Sequence, residues 1–155
     1  DSNMYNRVLV PIDGSETSMA ALREAIRIGQ CQQQATQIRL LYVIDTLSNV
    51  PQTETSPSYI KEIYTQARKY GQDILDQAKQ EIESAGLHVE TRLVELKRAS
   101  DRIPQVIADE AKAMPAELLV MGTHGRRGLN YLFLGSVAEG VMRLTLCPVL
   151  LVRNA

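Results

Sequence analysis

Two hydrophobic periods alternate along this chain. Arg7 to Ile12, RVLVPI, is a short apolar run rich in β-branched residues, closed by the turn formers DGSE, and predicts a buried strand. Beyond it Met19, Leu22, Ala25, Ile26 and Gly29 recur at three- and four-residue spacing, the stripe of a helix that Ser15 or Thr17 can cap. Gln37 to Asp45, QIRLLYVID, predicts a second strand. From Tyr59 to Ala85 the apolar positions Ile60, Ile63, Tyr64, Ala67, Ile74, Leu75, Ala78 and Ile82 return to the helical period and stop at Gly86, which predicts one long amphipathic helix. Between strand and helix, Thr46 to Ser58 forms a polar loop with two prolines, either a mobile connection or a lid.

The second half repeats the scheme. His88 to Leu96 alternates polar and apolar residues, as a strand at or near a sheet edge does. SDRIPQVIADEAKAM predicts a helix capped by Ser100 or Asp101, with Pro104 tolerable in its first turn. AELLVMGT is apolar through its middle and predicts an interior strand; a last helix begins near Ser136, and CPVLLVR predicts a fifth strand. Five strands joined by helical crossovers predict an α/β fold: a doubly wound, five-stranded, mostly or wholly parallel sheet with helices on both faces. Ligands of such sheets bind beyond the carboxyl ends of the strands, where strand order reverses.

Composition narrows the function more than the fold. The 155 residues are 45 % hydrophobic and 23 % charged, with a formal net charge of -1, which gives no reason to expect nucleic acid or an anionic membrane as partner. Residues 4–155 read as one domain, with Asp1 to Asn3 an appended remnant ahead of Met4. No run approaches a membrane span or a signal core, so the cytoplasm is expected. Cys31 and Cys147 match no metal spacing and are expected to be buried thiols.

The chemistry concentrates in GTHGRRGLNYLFLGSV, Gly122 to Val137, which carries four glycines, two arginines and no acid. Gly122 and Gly125, free to take positive φ, can turn backbone N–H groups inward as an anion-binding concavity. Gly135-Ser136 opens a helix whose first amides lack intrahelical partners. Arg126 and Arg127 add charge, or are simply solvated. Together these parts suit a polyphosphate; a tight connection of no further purpose is the alternative reading. There is no GxxxxGK[ST] loop and no GxSxG elbow, so neither fast NTP hydrolysis nor serine catalysis is expected.

The spacing Gly122-x2-Gly125-x9-Gly135-Ser136, with VLVPIDGSE, LLYVID, VMGTHGRRG and GSVAEGVMRLTLCPVLLVR, resembles the universal stress protein family over nearly the whole chain. The resemblance implies strand order 3-2-1-4-5 and binding of ATP, with or without Mg2+, or of a related adenine nucleotide. It implies that Pro11, Ile12 and Asp13 meet the nucleoside, Asp13 accepting from ribose or holding a hydrated metal unless it is only a turn residue. Val43, whether or not it is ordinary core, matches an apolar contact to adenine. Met121, Gly122, Thr123, His124, Gly125, Arg126 and Arg127 match the loop around ribose and phosphates, and Gly135, Ser136 and Val137 match the phosphate-holding helix start. A shared ligand at Asp13 and Gly122 independently requires strands one and four to be neighbours. His124 can donate to a phosphate, but no partner carboxylate or general base can be named, so no catalytic residue is expected.

Nothing helical follows strand five to cover it, and an apolar edge invites pairing with another chain. A homodimer through Val149, Leu150, Leu151 and Val152 is expected, as the resemblance also implies. Three functions remain open: a nucleotide-binding module or switch in the stress response, a slow ATPase or self-phosphorylating enzyme, and an interaction protein binding AMP or another signalling nucleotide.

Overall fold

The computed structural model describes residues 4–48, 50, 51, 53, 56–125 and 134–154. Its elements follow in the order β1 (Arg7–Pro11), α1 (Glu16–Cys31), β2 (Gln37–Ile44), α2 (Pro57–Ser84), β3 (His88–Glu95), α3 (Ile103–Ala113), β4 (Leu118–Gly122), α4 (Ser136–Leu144) and β5 (Val149–Val152). The five strands form one sheet in the order β3-β2-β1-β4-β5, every neighbouring pair parallel. The expected α/β architecture and strand order are therefore those observed.

The strand pleat sorts the core into two layers. Val8, Val10, Ile38, Leu40, Tyr42, Leu118 and Val120 face α1 and α2, where they meet Leu22, Ala25, Ile26, Leu75, Ala78 and Ile82. Leu9, Leu41, Leu119 and Met121 face α3 and α4 and meet Ile107, Ala111, Met114, Ala138 and Val141. β1 and β2 are apolar on both faces because both are covered. Above the second layer Glu110, buried on α3, accepts from Arg92 at 2.9 Å, while Arg39 pairs with Glu90 at 2.6 Å. Arg39 also reaches Glu110 at 3.5 Å, so these ion pairs tie α3 to β2 and β3.

Helix ends account for most differences from the expected boundaries. Ser15 caps α1, its side chain accepting from the Ser18 N–H. Gly86, at φ +80, ends α2 as the left-handed residue of a Schellman turn, with Gly86 N–H donating to Glu83 O and Leu87 N–H to Ile82 O. Neither Ser100 nor Asp101 caps α3. Arg102 holds the cap position with no side-chain bond, and the Asp101 carboxylate instead accepts from the Lys97 and Arg98 amides at 3.0 and 2.9 Å. Asp101 lies one residue too early because the helix starts at Ile103, with Pro104 setting its first turn. The cysteines are not buried either: Cys31, the last residue of α1, is exposed, and Cys147 is half-buried beside Thr145 ahead of the edge strand β5. Among the described residues no helix is long and apolar enough to cross a membrane.

Candidate nucleotide site at the carboxyl edge of β1 and β4

β1 and β4 are hydrogen-bonded neighbours, with Val8 opposite Leu118 and Leu9 opposite Leu119. Their exits therefore emerge side by side at the point where the order reverses. Asp13 leaves β1 and Gly125 leaves β4 so close together that a Cβ on Gly125 would stand 3.0 Å from Asp13 Oδ2. The start of α4 closes on the same place. Gly135 donates its N–H to Thr123 O at 2.8 Å, and a Cβ there would meet that oxygen at 2.9 Å and His124 Cα at 3.3 Å. Gly135 is the N-cap of α4, and among the described residues no side chain caps this helix; its first turn, from Ser136 onward, starts beside the crevice with the positive end of the helix dipole.

The glycines earn their places differently from expectation. Neither Gly122 nor Gly125 has positive φ; among the described residues that conformation belongs to Gly14 (φ 83) and Gly86. Gly122 is still in the extended backbone of β4, and its missing Cβ makes room for α1: a methyl group there would lie 2.6 Å from Thr17 Oγ1 and 2.8 Å from the Thr17 carbonyl carbon. Close approach of two backbones is what requires glycine at this position.

Asp13 serves the turn into α1. Its Oδ1 accepts the Ser15 N–H at 2.9 Å, and its own N–H donates to Ser18 Oγ at 3.4 Å. With one oxygen so fixed, Oδ2 is held toward Gly125. Thr17, buried at the foot of α1, donates its hydroxyl to the His124 carbonyl. Thr123 Oγ1 and His124 Nδ1 lie 2.9 Å apart in a further hydrogen bond. Pro11, Ile12 and Met121 are buried beneath this level, Ser136 is exposed, and Val137 is half-buried. Arg126 and Arg127 lie outside the described residues.

An apolar shelf borders the crevice on the side of α3 and α4. Val43 of β2, Val94 of β3, Ile103 at the start of α3 and Val137 at the start of α4 are all partly buried and pack on the same core layer. Val43 and Val94 are register partners. Val43 was predicted from the sequence; Val94 and Ile103 were not. Alternation along β3 marks Val94 as inward-facing, but only the strand order says that it lies beside Val43. The sequence context of Thr17 shows only a capping candidate, and its bond to the loop after β4 emerges from the fold. The loop after β2 starts as a turn closed by Asp45, which accepts from Ser48 N–H at 3.2 Å and Ser48 Oγ at 2.6 Å. Among the described residues there is no cluster of three or more His, Cys, Asp or Glu fit for a metal ion.

Residues 4–153 match the family model described as "Universal stress protein family". The chain belongs to that family. Universal stress protein MJ0531 of Methanocaldococcus jannaschii is 34 % identical over 153 residues, covering 98 % of this chain and 84 % of the relative. MJ0577 of the same organism, a solved structure, superposes with a TM-score of 0.83 at 27 % identity and covers 98 % of each chain. More distant structures share the fold with ligands present. A family member from Arabidopsis thaliana has AMP bound (TM-score 0.67, 18 % identity, 97 % and 92 % covered). Another universal stress protein is in complex with cAMP (0.64, 23 %, 97 % and 98 %).

Proposed function

We propose that this universal stress protein binds an adenine nucleotide across the ends of β1 and β4, ATP being the ligand that would use the whole cradle, and that it works as a binding module or switch in the stress response. The observation that carries the reading is that the ends of β1, β4 and the start of α4 meet around one loop: the Cβ position of Gly125 stands 3.0 Å from Asp13 Oδ2, and that of Gly135, the N-cap of α4, stands 3.3 Å from His124 Cα. Phosphates would lie on Gly125, Gly135, Ser136 and Val137, and on Arg126 and Arg127. Ribose would meet Asp13, Thr123 and His124 above Pro11, Ile12, Met121 and Gly122. The base would rest on Val43 with Val94 and Ile103, an apolar shelf of the kind that buries an aromatic ring. AMP and cAMP in two proteins of the same fold support the adenine class.

Mg2+, if ATP brings it, would be held chiefly by the phosphates, with Asp13 the nearest carboxylate of the site. Among the described residues of the site the titratable groups are Asp13, engaged by the Ser15 N–H, and His124, bonded to Thr123 Oγ1, and with neither assigned to an attacking water, a slow ATPase or self-phosphorylating activity ranks below binding. Calorimetric titration of adenosine, AMP, ADP and ATP into the purified chain tests the reading. Affinity that rises with phosphate number supports it; equal affinity for adenosine and ATP, or none for either, defeats it. Mass spectrometry of ligand carried through purification identifies the physiological nucleotide.

The protein would act as a cytoplasmic homodimer through β5. Val149, Leu150, Leu151 and Val152 are only half-buried, and the exposed apolar residues Met142, Leu144 and Leu146 flank them. Light scattering that finds only monomer at micromolar concentration would contradict this.

A further inference from the structure

Beyond the residues that would touch a nucleotide, one buried hydroxyl in α1 controls the direction of a peptide group in the glycine loop. We infer that Thr17 is a positioning residue for phosphate: it aims the Gly125 N–H into the crevice. The inference rests on the nucleotide reading above, but on a different contact.

Thr17 is 7 % exposed, and Oγ1 donates to the main-chain oxygen of His124. The His124 carbonyl and the Gly125 N–H belong to one peptide unit. No peptide bond among the described residues is cis, and in a planar trans unit C=O and N–H point in opposite directions. Tethering the carbonyl to α1 therefore turns the Gly125 N–H away from α1. The loop is confined on its other flank by Gly135, whose Cβ position lies 3.3 Å from His124 Cα. The N–H is thus turned from α1 toward the flank on which Gly135 opens α4, where an anion would meet it together with the start of that helix. Such a concavity of backbone amides gains its affinity from orientation held before the anion arrives.

The tether depends on close packing. A Cβ on Gly122 would fall 2.6 Å from Thr17 Oγ1, so the absence of a side chain in β4 lets this hydroxyl reach past the strand to the loop. Ser15 already caps α1, which leaves the Thr17 hydroxyl for the loop. A buried hydroxyl is costly unless hydrogen-bonded, and valine of nearly the same shape would fill the space without that demand.

The test compares Thr17→Val, which keeps the shape and removes the hydroxyl, with Thr17→Ser, which keeps the hydroxyl. Each is titrated with adenosine, AMP and ATP by calorimetry. Thr17→Val is expected to bind AMP and ATP about tenfold more weakly, the worth of one hydrogen bond to a charged group. Its affinity for adenosine should stay within about twofold of the wild-type value, and Thr17→Ser should bind all three ligands within about twofold of wild type. Retained adenosine binding shows that the site is folded. If Thr17→Val does not fold, Thr17→Ala carries the same comparison. The inference is overturned if the hydroxyl-free variants bind AMP as wild type does, if they lose adenosine and AMP equally, or if Thr17→Ser is as impaired as they are. Wild-type protein that binds adenosine but gains nothing from phosphate overturns the nucleotide reading, and the role of Thr17 with it.

Discussion

At the scale of single residues, the three glycines around β4 carry unequal burdens. Gly122 faces the backbone of Thr17 and Ser18 at 2.8 and 2.9 Å from its Cβ position, whereas Gly125, among the described residues, faces the end of the Asp13 side chain. Gly122→Ala should therefore cost about 3 kcal/mol, seen as a fall in Tm of roughly 6–12 °C. Gly125→Val, which must displace only the end of the Asp13 side chain, should lower Tm by less than Gly122→Ala does yet weaken ATP at least tenfold by obstructing the ligand. Thermal melts and calorimetry on both variants check the contrast; a Gly122→Ala protein as stable as wild type would show that α1 and β4 have room between them. The sequence spacing identified these glycines but not their reasons, because a missing Cβ answers to whatever packs against it, and Thr17 lies 105 positions away from Gly122 in sequence.

Thr46 gives a second test at this scale. It is fully buried just after β2, and its hydroxyl has no hydrogen-bond partner among the described residues. An unsatisfied buried hydroxyl costs about 1–3 kcal/mol. Thr46→Val should consequently raise the urea midpoint, by about 1 kcal/mol in unfolding free energy. A clear loss of stability would mean that the hydroxyl is paired in solution.

At the scale of elements, the two edges of the sheet are built oppositely. β3 carries His88, Glu90, Arg92 and Glu95, and the last three are ion-paired to Arg39, Glu110 and Arg68 respectively. Charges on an edge oppose pairing with another sheet. β5 has no charge along Val149–Val152, and Leu146 just before it is fully exposed. Leu146 has little to lose in an isolated subunit, so, if the proposed dimer forms through β5, Leu146→Glu should weaken it by tenfold or more in dissociation constant while leaving the far-UV circular dichroism spectrum unchanged. Analytical ultracentrifugation reads the first effect: a wild-type protein that is monomeric overturns the proposed dimer, and a dimer unchanged by the substitution removes Leu146 from its interface. The contrast between edges was legible in part: alternation marked β3 as an edge, and the uncovered run marked β5. The start of α3 was not legible, because Ser100, Asp101 and Arg102 compete for one cap, and the choice follows from Asp101 being engaged by the Lys97 and Arg98 amides.

α2 shows a feature of the same scale. Its 28 residues span about 42 Å, against about 26 Å for the eight residues of β2. Its fully buried residues begin at Gly71, which packs against Tyr42 and Leu93 near the ends of β2 and β3. The segment before it extends past the carboxyl edge of the sheet, the edge that bears the site. Periodicity alone revealed the length of the helix but not where it meets the sheet.

At the scale of the whole molecule, the sheet brings together residues from β1, β2, β3 and β4 and the starts of α1, α3 and α4, although they span most of the chain. Strand number and the parallel arrangement could be read from runs and caps, and glycine spacing pointed to the loop that lies at the ends of β1 and β4. The apolar shelf could not be read completely, since Val94 and Ile103 join Val43 in one layer only through sheet order. The central claim is that a phosphorylated adenine nucleotide occupies this edge. Titrating the 15N-labelled chain with ATP and following backbone amide shifts tests it most directly. Saturable shifts of Asp13, Gly125, Ser136 and Val137, with Val43 and Val94 moving in the same titration, are predicted. Shifts confined to other surfaces, or none at millimolar ATP, would contradict the account.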